Sequence, residues 1–138
     1  VTISALTLHR TWLTPDGSGK AEIDKPRLLW PGAPKAGGVI RLWPDEEVTL
    51  GLAVGEGIET SLALARGFGL AWACIDAGNL AALPVLGGIE AITIAADHDE
   101  AGIKAARACA ERWAAAGCEV RIILPEVPGA DLADEAAA

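Results

Sequence analysis

The sequence predicts an α/β fold in which a parallel sheet is flanked by helices and preceded by a small β-rich subdomain. From residue 49 onward, short apolar runs alternate with helix-like segments, and near-continuous apolar strands joined by helices form parallel sheets covered on both faces. Residues 1–48 instead combine Pro, Gly and Trp with short β-prone runs separated by turns. We therefore expect two domains, 1–48 and 49–138.

The N-terminal domain is expected to be a small β meander. Its β-prone runs are Ala5–Leu13, Arg27–Trp30 and Gly38–Trp43. The sequence Pro-Asp-Gly-Ser-Gly at 15–19 favours a tight turn after the first run. We place the end of this domain near Pro44–Glu47, where the composition changes.

The second domain is expected to alternate strands and helices in chain order. The expected strands are Thr49–Val54, Ala71–Ile75, Ile89–Ala96 and Cys118–Leu124, and the expected helices are Glu59–Arg66, Asn79–Leu83 and Glu100–Ala116. Gly67 and Gly117 are the expected ends of the first and last helices. The last helix has the spacing of a buried stripe, made of Ile103, Ala106, Ala110 and Trp113.

The net charge of −8 is carried entirely by the second domain. Residues 1–48 have six basic and six acidic groups, whereas residues 49–138 have five basic and thirteen acidic ones. A nucleic-acid-binding face made only of cations would not have this composition. Binding of a polyanion would have to use a metal, the N-terminal cations or further domains.

The remaining composition favours a reduced, cytoplasmic protein without a membrane span. Cys74, Cys109 and Cys118 form no Cys-x-x-Cys pair and lie in apolar surroundings, so we expect buried free thiols and no zinc site. No apolar run reaches the roughly 18 residues of a transmembrane helix, and no signal peptide is visible. Because the chain contains no Met, we expect it to be part of a larger protein.

The most informative residues are two carboxylates at the end of the apolar strand before residue 97. Successive side chains of a strand point to opposite faces, so we expect Asp97 and Asp99 on one face and His98 on the other, as a packing or surface residue. Two such carboxylates repel each other unless a cation lies between them, and Mg²⁺ prefers oxygen ligands. Glu56 follows another strand, and ligands of parallel sheets bind beyond the carboxyl ends of the strands.

Two segments together resemble the Toprim domain of bacterial-type primases, type IA and type II topoisomerases, small nucleases and recombination proteins. They are Leu50–Thr60, which contains Glu56 and Glu59, and Asp97–Gly102. The first resembles a primase-like branch found in phage, plasmid and mobile-element proteins, in which a segment like Thr11–Ala21 often precedes the core. The resemblance covers roughly residues 49–134.

The resemblance implies a metal-dependent site. Glu56 would be the general acid/base or a metal-positioning carboxylate, and Asp97 and Asp99 would bind Mg²⁺, with Mn²⁺ as an alternative. Many primases have Asp where this chain has Thr60. Glu59 could replace it from the neighbouring helical position, the alternative being an ordinary exposed carboxylate at a helix start. Asp131, and less closely Asp134, match an acidic motif near the end of the domain. Relatives often have Trp-Asn before its last Asp, where this chain has Leu132-Ala133.

The function implied is the catalytic core of a DNA primase, or primase-helicase, that makes RNA primers on single-stranded DNA from ribonucleoside triphosphates. Helicase or zinc-binding domains of the same full-length protein would be its partners. Lys25, Arg27 and Arg41 are candidates for contact with triphosphate or template, the alternative being an ordinary solvated surface. Two other functions stay open: a Toprim nuclease that activates water, and a non-catalytic module that docks DNA or a partner.

Two further enzyme classes are less compatible with the sequence. Phosphatases of the haloacid-dehalogenase type also end a strand in Asp-x-Asp, but usually have Thr or Val where this chain has Ala101. Topoisomerases cleave DNA through a tyrosine, and this chain has none. The five tryptophans are expected mainly in the core, although Trp12 or Trp30 could stack on a base.

Overall fold

The structure, a computed structural model, describes residues 5–130, 132 and 133. The chain divides into two compact units, here called the N-terminal unit (Val1–Ala36) and the C-terminal unit (Gly37–Ala138).

The N-terminal unit is built on an antiparallel hairpin of strands β1 (His9–Thr11) and β2 (Arg27–Leu29). The pairing continues beyond the strands, since the Trp12 N–H donates to the Pro26 carbonyl at 2.8 Å. The expected turn at 15–19 is present, with Gly17 at a φ of 73°. Hydrogen bonds from Thr14 and Ser18 stabilise the ionised form of Asp16 and lower the pKa of that carboxyl to about 2.

The C-terminal unit is a five-stranded, mostly parallel sheet with flanking helices, which confirms the predicted α/β class. Its strands are β3 (Ile40–Arg41), β4 (Gly51–Gly55), β5 (Ala71–Ala73), β6 (Ala91–Ala95) and β7 (Glu119–Ile123). Its helices are α1 (Ile58–Phe68), α2 (Ala77–Ala82) and α3 (Glu100–Ala115), with a 3₁₀ turn at Asp45–Glu47. The strand order is β3-β5-β4-β6-β7, and only β3 is antiparallel to its neighbour.

Strand β3 belongs to the C-terminal unit, whereas the sequence placed residues 38–43 with the N-terminal subdomain. Long-range hydrogen bonds explain the difference. The Trp72 indole N–H donates to the Trp43 carbonyl at 3.1 Å. The Asn79 side-chain amide accepts from the Gly37 N–H and donates to the Gly38 carbonyl, each at 3.1 Å. Residues 37–43 are therefore held by β5 and α2, distant in sequence.

The sheet has a different core on each face. One face packs Leu52, Val54, Ile92 and Ile94 against α2 and α3, and its largest fully buried side chain is Trp113. The other face is lined mainly by small residues such as Ala53 and Ala95, against Leu64 of α1. Because side chains alternate along a strand, the large and small residues of β4 and β6 separate onto opposite faces.

Two details of the helices differ from the sequence-based expectation. The first helix does not end at Gly67 but continues to Phe68, because Gly69, with a φ of 83°, is the residue that leaves the helix. In α3, Ala106 and Trp113 are buried as expected, but Ile103 and Ala110 are only partly buried. The fully buried stripe also contains Gly102, Ala105 and Cys109. Gly117, with a φ of 89°, follows the end of α3 as predicted.

The cysteines are free thiols, as predicted. Cys74 and Cys109 are buried, and burial raises the pKa of the first to about 12 and of the second to about 11. Thiols so hard to ionise are poor nucleophiles.

Within the described residues, no helix combines the length and the apolar character needed to cross a bilayer.

Trp113 is the side chain on which the α3 face of the core depends most. We expect Trp113→Ala to lower the free energy of unfolding by about 3–5 kcal/mol, because it leaves a large cavity. Trp113→Phe should cost clearly less, because it fills most of the space and removes an indole N–H that is buried without a described partner. Urea unfolding followed by circular dichroism tests this, and equal costs for the two variants would contradict it.

Candidate active site

Four carboxylates follow three neighbouring strands of the C-terminal unit. Glu56 follows β4, Asp76 follows β5, and Asp97 and Asp99 follow β6. Strands β4 and β6 are parallel and in register, with Gly55 beside Ala95. The chain therefore leaves both strands at the same edge of the sheet, where ligands of such folds bind.

Glu56 is half-buried and interacts with both aspartates. Its pKa is raised above the usual glutamate range, first by burial and then by the negative charges of Asp97 and Asp99, with a smaller contribution from Asp76. A hydrogen bond from the Ala77 N–H acts in the opposite direction. The structure thus brings Glu56, Asp97 and Asp99 into one electrostatic group, in which the ionised form of Glu56 is disfavoured.

The two aspartates differ in their local roles. Strand β6 ends at Ala95, so the strand alternation expected for Asp97 and Asp99 does not extend to them. The half-buried Asp97 carboxylate accepts a long hydrogen bond, 3.5 Å, from the hydroxyl of buried Thr60. The exposed Asp99 is the N-cap of α3 and accepts from the Gly102 N–H at 2.7 Å. Capping occupies part of the Asp99 carboxylate.

His98 lies against the segment that follows β7. Its Nδ1 is 2.8 Å from the Pro125 carbonyl oxygen. Its backbone N–H donates to Ala130, and its carbonyl accepts from Gly129. These contacts agree with a packing role for His98.

Two glycines let the helices begin close to the strand ends. A Cβ atom at Gly102 would lie 2.6 Å from the Asp97 carbonyl oxygen, nearer than real Cβ atoms come to other atoms. A Cβ atom at Gly55 would lie 2.7 Å from the Ser61 hydroxyl oxygen. This oxygen is 2.8 Å from the Gly57 carbonyl oxygen and 3.1 Å from that of Trp72, so the two carbonyls share its one proton. The absence of side chains at these glycines sets the distance between carboxylate-bearing segments and helices.

Sequence reasoning missed Asp76. This residue is the N-cap of α2 and accepts from the Asn79 N–H at 2.9 Å. It follows Ile75, whose φ of 77° is the only positive value among the described non-glycine residues. A β-branched residue is strained in this conformation. An Asp at the start of a helix after an apolar strand is a capping signal that could have identified this position.

The other predicted residues have separate placements. Glu59 is half-buried in the first turn of α1. Arg41, on β3, forms an ion pair with Asp45 at 2.6 Å. Lys25 and Arg27 are exposed on the N-terminal unit. Asp131 and Asp134 lie outside the described residues.

The chemistry of the acidic group suits a hard divalent cation, because carboxylate oxygens are the ligands that Mg²⁺ and Mn²⁺ prefer. A bound cation would also relieve the repulsion among the carboxylates that disfavours ionised Glu56. Within residues 5–130, 132 and 133, however, no three His, Cys, Asp or Glu side chains are arranged to hold a metal ion. The donors fit such an ion in kind, and completing the coordination requires movement or further ligands.

The acidic group lies within a segment that matches a known protein family. Residues 51–138 match the Toprim domain. The chain belongs to the Toprim family. The match includes Glu56, Asp97 and Asp99, and it begins with the first residue of β4. No curated protein matches the chain.

Three solved structures share the fold of this Toprim chain. A DNA primase domain from Pseudomonas aeruginosa is 20% identical, with a TM-score of 0.56, over 94% of this chain and 46% of its own. A DnaG catalytic core is 18% identical, with a TM-score of 0.60, over 96% and 48%. An E. coli primase catalytic core is 20% identical, with a TM-score of 0.55, over 93% and 47%. The chain therefore spans slightly less than half the length of these structures.

Gly102 provides a test of the close approach of α3 to Asp97. We expect Gly102→Ala to lower the free energy of unfolding by about 1–3 kcal/mol, because the new methyl group collides with backbone atoms. The matched control is Gly67→Ala, also inside a helix but in open space, which should stabilise by about 0.5–1 kcal/mol. Thermal or urea unfolding measures both, and a stabilising Gly102→Ala would show that the approach is not tight.

Glu56→Gln tests the repulsion within the acidic group. Because the pKa of Glu56 is raised in the folded state, folding favours its protonated form, and stability falls as the pH rises from the unfolded to the folded pKa. Glu56→Gln should therefore be more stable than the parent at pH 7 without divalent ions, and this advantage should shrink near pH 4. Unfolding at both pH values measures the effect, with the exposed Glu111→Gln as control. A Glu56→Gln advantage that is independent of pH would contradict it.

Proposed function

We propose that this chain is the catalytic Toprim core of a DNA primase. It would join ribonucleotides into a primer on single-stranded DNA with Mg²⁺, or Mn²⁺, as cofactor. The observation that carries the proposal is the group formed by Glu56, Asp97 and Asp99 at the carboxyl edge of a Toprim sheet. The likeness of the fold to three primase structures supports the reaction type.

The residues of the group suit nucleotidyl transfer in distinct ways. A divalent ion bound there would neutralise charge on the triphosphate and lower the pKa of the attacking 3′-hydroxyl. Glu56 has a raised pKa, so it accepts and returns a proton more readily near neutral pH than an ordinary glutamate, as a general acid/base requires. Asp97 is oriented by Thr60, and Asp99 by its cap on α3.

The proposal extends to residues outside this group. Glu59 in the first turn of α1, and Asp131 beyond the described residues, are proposed as additional metal-binding carboxylates. Lys25, Arg27 and Arg41 are proposed to contact triphosphate or template. Arg41 would have to exchange or share its ion pair with Asp45 to do so.

We also propose the biological setting of the activity. The N-terminal and C-terminal units would act together with helicase or zinc-binding parts of a longer protein. That protein would be a cytoplasmic replication protein of a phage or other mobile element.

A metal-dependent nuclease is the second candidate function. The observation in its favour is that Arg41, the proposed triphosphate contact on the C-terminal unit, already forms an ion pair with Asp45. A nuclease would use the same acidic group to activate water and would need no triphosphate contact.

The deciding experiment measures incorporation of labelled ribonucleotides on single-stranded DNA, in the full-length protein, with Mg²⁺ or Mn²⁺. Loss of the acid/base or of a metal ligand should reduce synthesis by about 100-fold or more in Glu56→Gln and Asp97→Asn. Chelation with EDTA should abolish it, and Glu111→Gln should leave it unchanged.

Two other outcomes would replace the proposal. Metal-dependent cutting of the template without synthesis would establish the nuclease. Neither synthesis nor cutting in the full-length protein would leave a non-catalytic module that docks DNA or a partner.

A further inference from the structure

The hairpin of the N-terminal unit carries a cluster of one cation and two indoles, here called the Arg10 cluster: Arg10, Trp12 and Trp30. The Arg10 guanidinium carbon lies 5.2 Å from the centre of the Trp12 ring and 5.4 Å from that of Trp30. Both distances are within the range of cation–π attraction. The guanidinium thus lies beside two aromatic side chains on a hairpin of only three-residue strands.

Strand register places the cluster on one face of the hairpin. Arg10 and Trp12 are two positions apart in sequence and so point the same way. Arg10 lies opposite Leu28, two positions before Trp30, whose N–H donates to the Leu8 carbonyl at 2.9 Å. Arg27 pairs with Thr11 and therefore belongs to the other face. The Arg10 cluster therefore does not include Arg27, one of the three cations already proposed to contact triphosphate or template.

Both indoles are exposed in the structure. The exposed fraction is 38% for Trp12 and 53% for Trp30, and Leu8 beside them is 61% exposed. Attraction to Arg10 accounts for the placement of the two rings beside the guanidinium. It does not account for their exposure, which costs free energy in water. An exposed aromatic surface beside a guanidinium is suited to receive another flat, apolar group.

The charge of the N-terminal unit identifies the kind of partner. This unit has five basic and three acidic residues, whereas the C-terminal unit has six basic and sixteen acidic residues. An anion is therefore attracted to the first unit and repelled by the second. A partner with flat aromatic groups joined by anions matches the Arg10 cluster in both respects, and single-stranded DNA has this chemistry.

We propose that the Arg10 cluster binds single-stranded DNA. Nucleobases stack on the exposed faces of Trp30 and Trp12, and the Arg10 guanidinium beside both rings donates hydrogen bonds to an adjacent phosphate. If the chain is a primase core, the Arg10 cluster would contact the template strand. Only this template role rests on the proposed function. Binding itself requires neither metal nor nucleotide.

The test is fluorescence anisotropy of a labelled oligodeoxythymidylate with the 138-residue chain, in EDTA and without triphosphates. Trp30→Ala and Trp12→Ala should each weaken binding by about tenfold, the lower part of the range for loss of one stacked base. Trp30→Phe should recover most of the affinity, because phenylalanine keeps a stacking face. Arg10→Gln should weaken binding and reduce the salt dependence by about one phosphate contact.

Phe68 is a matched control on the C-terminal unit. It is 46% exposed and has the Arg121 guanidinium 6.0 Å from its ring, so it reproduces an exposed aromatic side chain beside an arginine. Phe68→Ala should leave DNA affinity unchanged. Circular dichroism spectra equal to that of the parent establish that the variants are folded.

The outcomes separate this proposal from the proposed function. Affinities of Trp12→Ala and Trp30→Ala equal to the parent's would overturn the Arg10 cluster as a DNA site, whether or not primers are made. Loss of self-association in these variants, with DNA affinity intact, would overturn it in favour of a second copy of the chain. Tenfold weaker DNA binding by these variants in a protein that makes no primers would support the cluster and reject only the primase activity.

Discussion

The close approach of two helices to the ends of their preceding strands is the constraint on which the C-terminal unit depends. Gly55 and Gly102 permit it, since a Cβ atom at either would collide with Ser61 or with the Asp97 backbone. The in-register pairing of β4 with β6 then places Glu56 and Asp97 at one edge of the sheet. Neither the helix starts nor the acidic group can change position without moving the other, because the same short segments form both.

This arrangement has an energetic cost that the core must offset. Burial and two neighbouring negative charges disfavour the ionised Glu56, and Ile75 adds backbone strain beside Asp76. The large apolar side chains between the sheet and α2 and α3, with Trp113 among them, are buried and supply hydrophobic stabilisation. Such a division, in which a packed core maintains an unfavourable polar edge, is expected where the edge has a chemical role.

The sequence predicted most of the fold and the existence of the acidic group, but not its local geometry. Alternating apolar runs and helix patterns are local, so β4 to β7 and the helices α1 to α3 were expected in the correct order. The membership of β3 in the sheet depends on hydrogen bonds from Trp72 and Asn79, which no local pattern encodes. An Asp three residues before Gly102, at the start of a helical pattern, is a helix-capping signal, and Asp99 does cap α3. Because the expected strand alternation was instead extended to Asp99, the cap was not predicted. The catalytic, metal-binding and nucleic-acid-binding roles of all the predicted site residues stay predictions: Glu56, Glu59, Asp97, Asp99, Asp131, Lys25, Arg27 and Arg41.

The distribution of the three thiols has a practical consequence. Cys74 and Cys109 are buried, whereas Cys118 is only partly buried and its thiol donates to the Ile89 carbonyl at 3.4 Å. Cys118 directly precedes β7, so it lies at the amino-terminal edge of the parallel strands, opposite the edge that carries the carboxylates. A maleimide dye or a surface linker would therefore attach preferentially at this thiol, on the side of the sheet away from the acidic group. The natural sequence thus provides an attachment point for single-molecule work without an added cysteine.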